Sequence, residues 1–343
     1  MITIKDIAEK TGVSRGTVDR VLHDRGRVDP EVERRVKAVA EKYGYRSNPF
    51  AKALVRGSKS FLIGVVINSK GNIFFDDLIR GLQEGTEKYR QQGVDVLIKE
   101  IRGFNEDEYL HAIDEVMAKE PSALAINPIS TPAIQERLTQ IAKSGTPVCT
   151  VNSDMSFRGK FAFVGCNYTN SGRVCADMAS LIMSENSTAC VMTGSLMLKG
   201  HMKRVDAFID ALGKNRPDIH VAGVYENNDD DKVSRIITRK MIHEYEPDLI
   251  YFSAAGSEGG MQAVTEMNAK AKVIVVDDIP QNHHFLKEGK IQAIITQQPY
   301  QQGANTIEIL SEYILNGTKP LHVHNYTENR VMLPHSISYP GRA

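Results

Sequence analysis

Residues 2–23 read ITIKDIAEKTGVSRGTVDRVLH, two short amphipathic patterns separated by one glycine. Gly12 stands where the first helix needs a left-handed residue to end, and Ser14 can cap the second helix. The apolar residues of both patterns recur at helical spacing: Ile4, Ile7 and Ala8, then Val18, Val21 and Leu22. Arg15 and Arg20 lie off this apolar stripe. The stretch therefore predicts a helix-turn-helix.

Two further helices are predicted downstream. Asp29-Pro30 is a cap followed by proline at the first helical position, and the amphipathic pattern that follows stops at Gly44. Residues 48–57, NPFAKALVRG, again begin with a cap and a proline and end on glycine. This fourth helix is too short to be stable alone in water. The alternative to a DNA-binding unit here is a helical hairpin with a solvated charged face.

Charge is distributed unevenly along the 343 residues, although the formal net charge is zero. Residues 1–58 hold 13 Lys and Arg against 8 Asp and Glu, so the basic charge is concentrated at the front. The four cysteines show neither a C-x-x-C pair nor a disulfide spacing: Cys149, Cys166, Cys175 and Cys190. The sequence shows no signal peptide and no apolar run of membrane length. These features predict a cytoplasmic protein without membrane insertion.

From Phe61 onward, short apolar strands alternate with longer amphipathic helices. The strand candidates are residues 62–67, 94–101, 123–127, 148–151, 162–164, 189–193, 221–225, 249–252, 273–276 and 293–296. This alternation predicts an α/β domain with doubly wound parallel sheets and helices on both faces. Ten strands exceed one comfortable sheet, so we expect two lobes that divide near residues 163–167. A ligand would then bind beyond the carboxyl ends of the strands, between the lobes.

Residues 3–58 resemble the DNA-binding headpiece of the LacI family in their T-x-x-D-I-A-x-x-x-G-V-S-x-x-T-V-x-R-V-L signature and N-P-x-A-x-x-L hinge helix. The resemblance implies a recognition helix that begins at Ser14 in the major groove, with Arg15 and Gly16 at the two main specificity positions. Leu54 matches the leucine that wedges into the minor groove at the operator centre. The DNA-binding residues implied are Thr3, Ser14, Arg15, Gly16, Thr17, Arg20, Asn48 and Leu54.

Residues 60–339 resemble the type I periplasmic sugar-binding fold, which LacI and galactose repressors share with ribose-binding proteins. The resemblance implies a site of aromatic planes, amide and carboxylate acceptors and a forked arginine, Arg204. An aspartate, Asp277 or Asp278, would accept from sugar hydroxyls. The ligand-binding residues implied are Asn68, Phe74, Phe75, Asn152, Ser153, Arg204, Asp277, Asp278 and Gln297. Because adjacent strand residues cannot both face inward, at least one of the two phenylalanines should face the cleft or a loop surface.

The chain departs from the sugar-binding pattern at two places. Ser153 replaces an expected arginine, and residues 253–256, SAAG, replace an Asn-Asp pair. We therefore expect the ligand to be a modified or smaller polyol, or an anionic sugar held by Arg204 together with Lys199 or Lys203.

The resulting domain prediction is a helix-turn-helix headpiece at 1–47, a hinge helix at 48–58 and a ligand-binding and dimerisation domain at 59–343. Lobe 1 is expected at about 60–164 and 298–324, and lobe 2 at about 165–297 and 325–343. We expect a homodimer on a pseudo-palindromic operator in double-stranded DNA. A sugar, polyol or sugar derivative would control it, as a repressor of carbohydrate uptake or catabolism genes.

Two other classes of function are weaker. The first alternative is a sugar sensor or transport protein that does not bind DNA. An enzyme is not expected, since no hydrolase motif such as G-x-S-x-G is present. We expect no cofactor beyond the small-molecule effector. We also expect no metal site, since the histidine pairs at 283–284 and 322–324 lack four-ligand spacing.

Overall fold

The described part of the N-terminal unit contains three helices, as the opening stretch and the pattern after Asp29-Pro30 predict. They are α1 (Ile4–Thr11), α2 (Arg15–Leu22) and α3 (Pro30–Lys42). The computed structural model describes residues 4–22, 28–43 and 60–337, and the chain divides into two compact units, residues 1–59 and 60–343. The predicted hinge helix at 48–58, with Asn48 and Leu54, lies outside the described residues, as does Thr3.

Local chemistry sets the boundaries of these three helices. Gly12, after α1, has a φ of +68°, which costs glycine little because it has no Cβ. The Ser14 hydroxyl accepts a hydrogen bond from the backbone N–H of Thr17 at 3.1 Å, which caps α2. The Asp29 carboxylate accepts from the N–H of Glu31 at 2.8 Å and caps α3. The helices share a small core whose buried members are Ile7, Ala8, Val18, Val21, Val36 and Ala40.

The larger unit alternates strands with helices. Its first part contains β1 (Phe61–Asn68), α4 (Phe74–Arg90), β2 (Val94–Ile101), α5 (Glu106–Met117), β3 (Ala123–Ile126), α6 (Pro132–Lys143), β4 (Val148–Val151) and β5 (Ala162–Cys166). Next come α7 (Tyr168–Ile182), β6 (Thr188–Thr193), α8 (Lys199–Asn215), β7 (His220–Glu226), α9 (Asp231–Tyr245), β8 (Leu249–Phe252) and α10 (Ser257–Glu266). The last part contains β9 (Lys272–Val276), α11 (Pro280–Lys287), β10 (Ala293–Thr296), α12 (Pro299–Asn316), β11 (His324–Thr327), β12 (Arg330–Met332) and a 3-10 helix (Pro334–Ser336).

The strands form two six-stranded sheets. The first has the order β11-β5-β4-β3-β1-β2 and is parallel throughout. The second has the order β12-β10-β9-β8-β6-β7 and is parallel except for β12, which runs antiparallel to β10. Apolar clusters cover both faces of each sheet, as the near-continuous apolar strands require. The α/β prediction with two parallel sheets is confirmed.

All ten predicted strands are present, but β11 and β12 are not among the predictions. Both are short, and their residues are mostly exposed or half-buried, so they lack the apolar run that marks the other strands. The expected lobe limits at 164/165 and 324/325 fall inside β5 and β11. In the structure, the chain leaves the first sheet two or three residues later, after Cys166 and after Thr327.

Candidate functional site

A narrow cavity lies where the carboxyl ends of strands from both sheets converge. Seven of the nine predicted ligand residues line it: Asn68, Phe74, Phe75, Asn152, Arg204, Asp277 and Gln297. They follow different strands, so only the folded sheets bring them together, at the position where open α/β sheets bind ligands. Their role in ligand binding remains a prediction.

Arg204 lies in the second turn of α8 and is almost fully buried, with 1% of its surface exposed. Its Nε donates to Ser171 Oγ at 3.1 Å, and its Nη1 donates to the carbonyl oxygen of Ser253 at 2.5 Å. Its Nη2 donates to Cys166 Sγ at 3.7 Å, and its guanidinium carbon lies 4.6 Å from the centre of the Tyr168 ring. The protein thus fixes three of the five N–H donors and leaves two for the cavity.

Asp277 directly follows β9 and has a left-handed backbone, with a φ of +86°. Its Oδ1 accepts a hydrogen bond from Gln297 Nε2, and Gln297 Oε1 in turn accepts from the Cys166 thiol at 3.0 Å. Burial raises the pKa of Asp277 above its ordinary value, whereas the charge of Arg204 and the hydrogen bond from Gln297 oppose the shift. A network of hydrogen bonds therefore links the predicted arginine, aspartate and glutamine through a buried cysteine.

Cys166 ends β5 at the crossover between the sheets and is fully buried. Burial raises the pKa of its thiol to about 11, so the thiol stays protonated and can donate to Gln297. It connects Arg204 with Gln297 instead of lining the Arg204 cavity itself.

Asn152 follows β4 and also adopts a left-handed backbone, with a φ of +61°. Its Oδ1 accepts from Asn127 Nδ2 at 3.2 Å, and its Nδ2 donates to Gln302 Oε1 at 3.2 Å. Its carbonyl oxygen accepts from the Tyr168 hydroxyl at 2.7 Å. Non-glycine residues with positive φ are uncommon outside turns and concentrate at functional sites, which fits the cavity position of Asn152 and Asp277.

Aromatic rings form one wall of the cavity. Phe74 and Phe75 are the first two residues of α4, and their rings meet edge to face with centres 5.1 Å apart. Both are buried in the core of the first lobe and both reach the cavity. The strand-alternation argument does not apply to them, because they lie in a helix. Tyr168 adds a third ring next to Arg204.

Ser153 and Asp278 do not line the cavity. Ser153 is buried, and its hydroxyl has no hydrogen-bond partner among the described residues. Asp278 is about one-third exposed and pairs with the His283 ring instead. Both residues come directly after a left-handed residue beyond the end of a strand, Ser153 after Asn152 and Asp278 after Asp277. Of the two aspartates left open by the sequence, Asp277 is the one in the cavity.

Asp229, in the loop after β7, is a cavity residue that the sequence patterns do not single out. Its Oδ1 is buried without a hydrogen-bond partner, although the residue as a whole keeps some exposed surface. Burial, together with the charge of Asp277, raises the pKa of Asp229 to about 7. The hydrogen bond from the backbone N–H of Ala255 and the charge of Arg204 act in the opposite direction and lower this pKa. An unsatisfied buried acceptor of this kind is costly, so a ligand donor at this point would stabilise it.

His201 supplies the opposite hydrogen-bonding character. Burial, with the charge of Arg204 acting in the same direction, lowers the pKa of His201 to about 3, so the ring is neutral. Its Nδ1 accepts from the backbone N–H of Ser195 at 3.2 Å. In a neutral ring the other nitrogen then carries the proton, which makes Nε2 a donor.

The remaining cavity residues that the sequence patterns do not indicate are Asn72, Asn127, Tyr168, Leu198 and Ala255. Asn127 is the last residue of a predicted strand, and Asp229 lies in the polar run NNDD after another, so the strand-end rule could have found both. His201 and Tyr168 lie inside helices and carry no such signal.

The headpiece presents the described part of the predicted DNA-binding set on α2. Ser14, Arg15, Gly16 and Arg20 are exposed and Thr17 is half-buried. Arg20 Nε donates to the Gly16 carbonyl oxygen at 3.2 Å, which holds it along the helix. The surface of α2 opposite Val18 and Val21 is therefore the one available to a partner.

Two parallel-type sheets with a cavity at their converging strand ends are typical of periplasmic-binding-protein-like domains. The chain belongs to the periplasmic binding protein domain family, whose model matches residues 63–319. Residues 3–48 match the family of bacterial regulatory proteins described as the lacI family. The protein thus joins a lacI-type headpiece to a periplasmic-binding-protein-like domain.

Particular relatives are similar to different parts of the chain. Catabolite control protein A of Priestia megaterium is 27% identical over 212 residues, which cover 62% of this chain and 61% of that protein. Catabolite control protein A of Staphylococcus xylosus is 32% identical over 93 residues, 27% of this chain and 28% of that protein. The matches thus span less than two-thirds of the length of these relatives.

Among solved structures, a glucose-galactose binding protein from Geobacillus stearothermophilus has a TM-score of 0.75 at 20% identity, covering 82% of this chain and all of that one. A solute-binding protein from Actinobacillus succinogenes with bound D-allose has a TM-score of 0.72 at 19% identity, covering 81% of this chain and 99% of that one. These likenesses show the fold. In the described part of the chain, no helix combines the length and the apolar character that a membrane crossing needs.

Proposed function

We propose that this protein is a sequence-specific DNA-binding transcriptional regulator whose DNA affinity is controlled by a small polyhydroxylated ligand. The observation that carries the proposal is the presence, in one chain, of a lacI-type headpiece and a polar cavity with an aromatic wall at converging strand ends. The headpiece distinguishes it from a sugar sensor or transport protein, which would need only the cavity.

The charges of the cavity favour a neutral sugar or polyol over an anionic one. Arg204 is its buried cation, and Asp229 and Asp277 oppose that charge. Lys199 and Lys203, which could have held an anion beside Arg204, do not line this cavity. Hydroxyl groups both donate and accept, so they match the acceptors at Asp229 and Asp277 and the donors on Arg204 and His201.

The aromatic wall fits the same ligand class. A sugar ring has an apolar face of C–H groups beside its hydroxyls, and the rings of Phe74, Phe75 and Tyr168 can pack against it. The relatives in the structural comparison include proteins named for glucose and galactose binding or solved with D-allose. A sugar, polyol or sugar derivative is the effector that we propose.

Recognition of DNA would come from α2. Arg15 is exposed at the start of this helix and can form two hydrogen bonds to the edge of a guanine in the major groove. One headpiece makes too few contacts for specific binding, so we propose that two chains bind a pseudo-palindromic operator as a homodimer. Repression of genes for carbohydrate uptake or catabolism is the regulatory outcome that we infer.

The DNA-binding half of the proposal is tested by selecting binding sites from a random duplex library and measuring affinity for the selected site. Arg15→Ala should weaken binding by about 1–3 kcal/mol and relax the preference at one base-pair position in each half-site. Lys214→Ala is the matched control, because it removes an exposed positive charge from the far end of α8. If wild type enriches no sequence, the sensor or transport alternative replaces the regulator. Arg15→Ala binding as tightly and selectively as wild type would refute the recognition-helix assignment.

A further inference from the structure

A second cavity, separate from the one around Arg204, lies where the first turns of α7 and α8 meet the edge of the first sheet at β5 and β11. Its volume is about 250 Å³, somewhat below that of pockets for drug-sized ligands. Tyr168 contributes to both cavities, so they are neighbours. Nothing in the proposed function uses this second cavity.

Three basic side chains line the second cavity: Arg173, Lys199 and Lys203. Within the described residues none of them has an ion pair or a side-chain hydrogen bond, whereas Lys214 and Arg216 nearby in the chain are paired with aspartates. The acid on the cavity wall, Asp154, already accepts from Lys160 at 2.8 Å and from Thr150 Oγ1 at 2.9 Å. The positive charge of the cavity is therefore not balanced by that carboxylate.

The two helices add to this positive potential. Helices α7 and α8 pack side by side with their N-terminal ends together, since Gly200 faces the Tyr168 ring and Gly172 faces the Arg204 backbone. Neither helix has an acidic residue in its first turn, and no side chain caps α8. Placing like helix ends and three cations together is unfavourable unless an anion is present.

Two stacked aromatic rings border the same cavity. The rings of His324 and Tyr326 stack with centres 5.8 Å apart and 19° between their planes, and about half of Tyr326 is exposed. A ligand whose charged end meets the cations can pack its uncharged part against these rings.

We propose that this cavity binds the phosphate group of a small phosphorylated metabolite, held by Arg173, Lys199 and Lys203. A phosphate carries close to two negative charges at neutral pH and several acceptor oxygens, so it can engage all three side chains at once. The concave shape favours a small molecule over a flat protein surface. The inference requires neither DNA binding nor a sugar in the Arg204 cavity, and it stands or falls independently of the proposed function.

The test is a titration of the full-length protein with glycerol 3-phosphate and, separately, with inorganic phosphate. Phosphorus NMR at constant ionic strength monitors the binding. Glycerol serves as the uncharged control. The variants are Arg173→Ala and Lys199→Ala, singly and together, and the control is Lys214→Ala at the far end of the same helix as Lys199. Circular dichroism checks that each variant is folded. We expect folded variants, because the substituted side chains are exposed or half-buried.

We expect saturable binding of both phosphates, weakened by added salt. Each alanine variant should bind about tenfold more weakly and the pair more weakly still, with Lys214→Ala equal to wild type. Absence of saturable binding to wild type at millimolar phosphate would overturn the proposal. It would also be overturned by double-variant binding equal to that of wild type, since the phosphate would then occupy another place.

Discussion

Arg204 shows at the scale of one residue how this site is built. A buried arginine normally needs a carboxylate partner, yet Arg204 is held by a hydroxyl, a carbonyl oxygen, a thiol and an aromatic ring. Its charge is balanced at longer range by Asp277. The guanidinium is thus kept in place without a direct ion pair, which leaves donors available to a ligand.

Removing Arg204 should therefore affect stability as well as ligand binding. Arg204→Ala leaves the buried Ser171 and Ser253 without a donor and deletes the cation near Asp277, so we expect a loss of about 3 kcal/mol in the larger unit. Urea unfolding followed by circular dichroism measures it. Lys203→Ala, one residue earlier and exposed, should change the free energy of unfolding by less than about 0.5 kcal/mol. Equal urea midpoints for Arg204→Ala and wild type would show that the buried contacts of Arg204 do not stabilise the larger unit.

Asp229 predicts a pH dependence of stability. Its pKa is raised to about 7 in the folded protein, above the ordinary value of 3.8, so the folded state binds the extra proton between these values. Stability must then fall as pH rises through this window and level off above it, with a slope of at most about 1.4 kcal/mol per pH unit from this group. Asp229→Asn, which resembles the protonated acid, should become increasingly more stable than wild type from pH 5 to about pH 8.

The measurement is the urea midpoint of both proteins across this pH range. Asp210→Asn, at an exposed position on α8, provides the control, and its difference from wild type should stay constant. A difference between Asp229→Asn and wild type that does not change with pH would show that the carboxyl group is ionised in the folded state.

At the scale of elements, the close packing of α7 against α8 depends on glycine. A Cβ at Gly172 would overlap the backbone carbonyl oxygen of Arg204, which cannot move without shifting the helix. Gly172→Ala should therefore destabilise the larger unit by about 2 kcal/mol.

Gly213, in α8, gives the matched control, since an added Cβ there meets no atom within 4 Å. Gly213→Ala should be neutral or stabilise the protein by up to about 1 kcal/mol, because alanine favours a helix. Thermal and urea unfolding of both variants test the pair. Equal effects of the two substitutions on the free energy of unfolding would mean that helix propensity determines the change, and not the contact between α7 and α8.

Local structure also explains why the sequence did not predict the helical position of Phe74 and Phe75 or the strands β11 and β12. Phe74 and Phe75 look like strand or loop residues after β1, but Asn72 accepts from the N–H of Phe74 at 3.1 Å where α4 begins. Strands β11 and β12 are completed by pairing with the edges of existing sheets. Edge pairing satisfies their backbone groups without an apolar sequence pattern, so no local signal predicts them.

At the scale of the whole molecule, the two units must be coupled if the protein is a regulator. A sugar at about 100 times its Kd should stabilise the larger unit by about 2.7 kcal/mol and change affinity for the selected operator by about 5- to 150-fold. The direction distinguishes an inducer from a corepressor. Thermodynamic linkage requires that saturating operator change the sugar Kd by the same factor.

A thermal-shift screen of sugars and polyols, followed by operator titrations with each hit, measures this coupling. Asp277→Asn should lose the melting shift, because its carboxylate lines the cavity, whereas Arg15→Ala in the other unit should keep it. A sugar that stabilises the protein but leaves operator affinity unchanged would argue for binding without regulation.

The sequence by itself determined the three headpiece helices, ten strands and the parallel α/β class. Caps, terminating glycines and apolar periodicity are local signals, and Ser14 or the run at 273–276 can be interpreted from neighbouring residues alone. The resemblance to the type I periplasmic sugar-binding fold also indicated seven of the cavity residues, and the common edge at which parallel strands end explains why several of them lie together.

Only the tertiary structure decided which chemistry these residues can perform. The raised pKa of Asp229, the neutral ring of His201 and the thiol link at Cys166 arise from burial and from partners distant in the chain. Packing also decides that Asp277 and not Asp278 lines the Arg204 cavity. It likewise places Lys199 and Lys203 in the second cavity. Burial and long-range contacts are produced by packing, and no local pattern of residues records them.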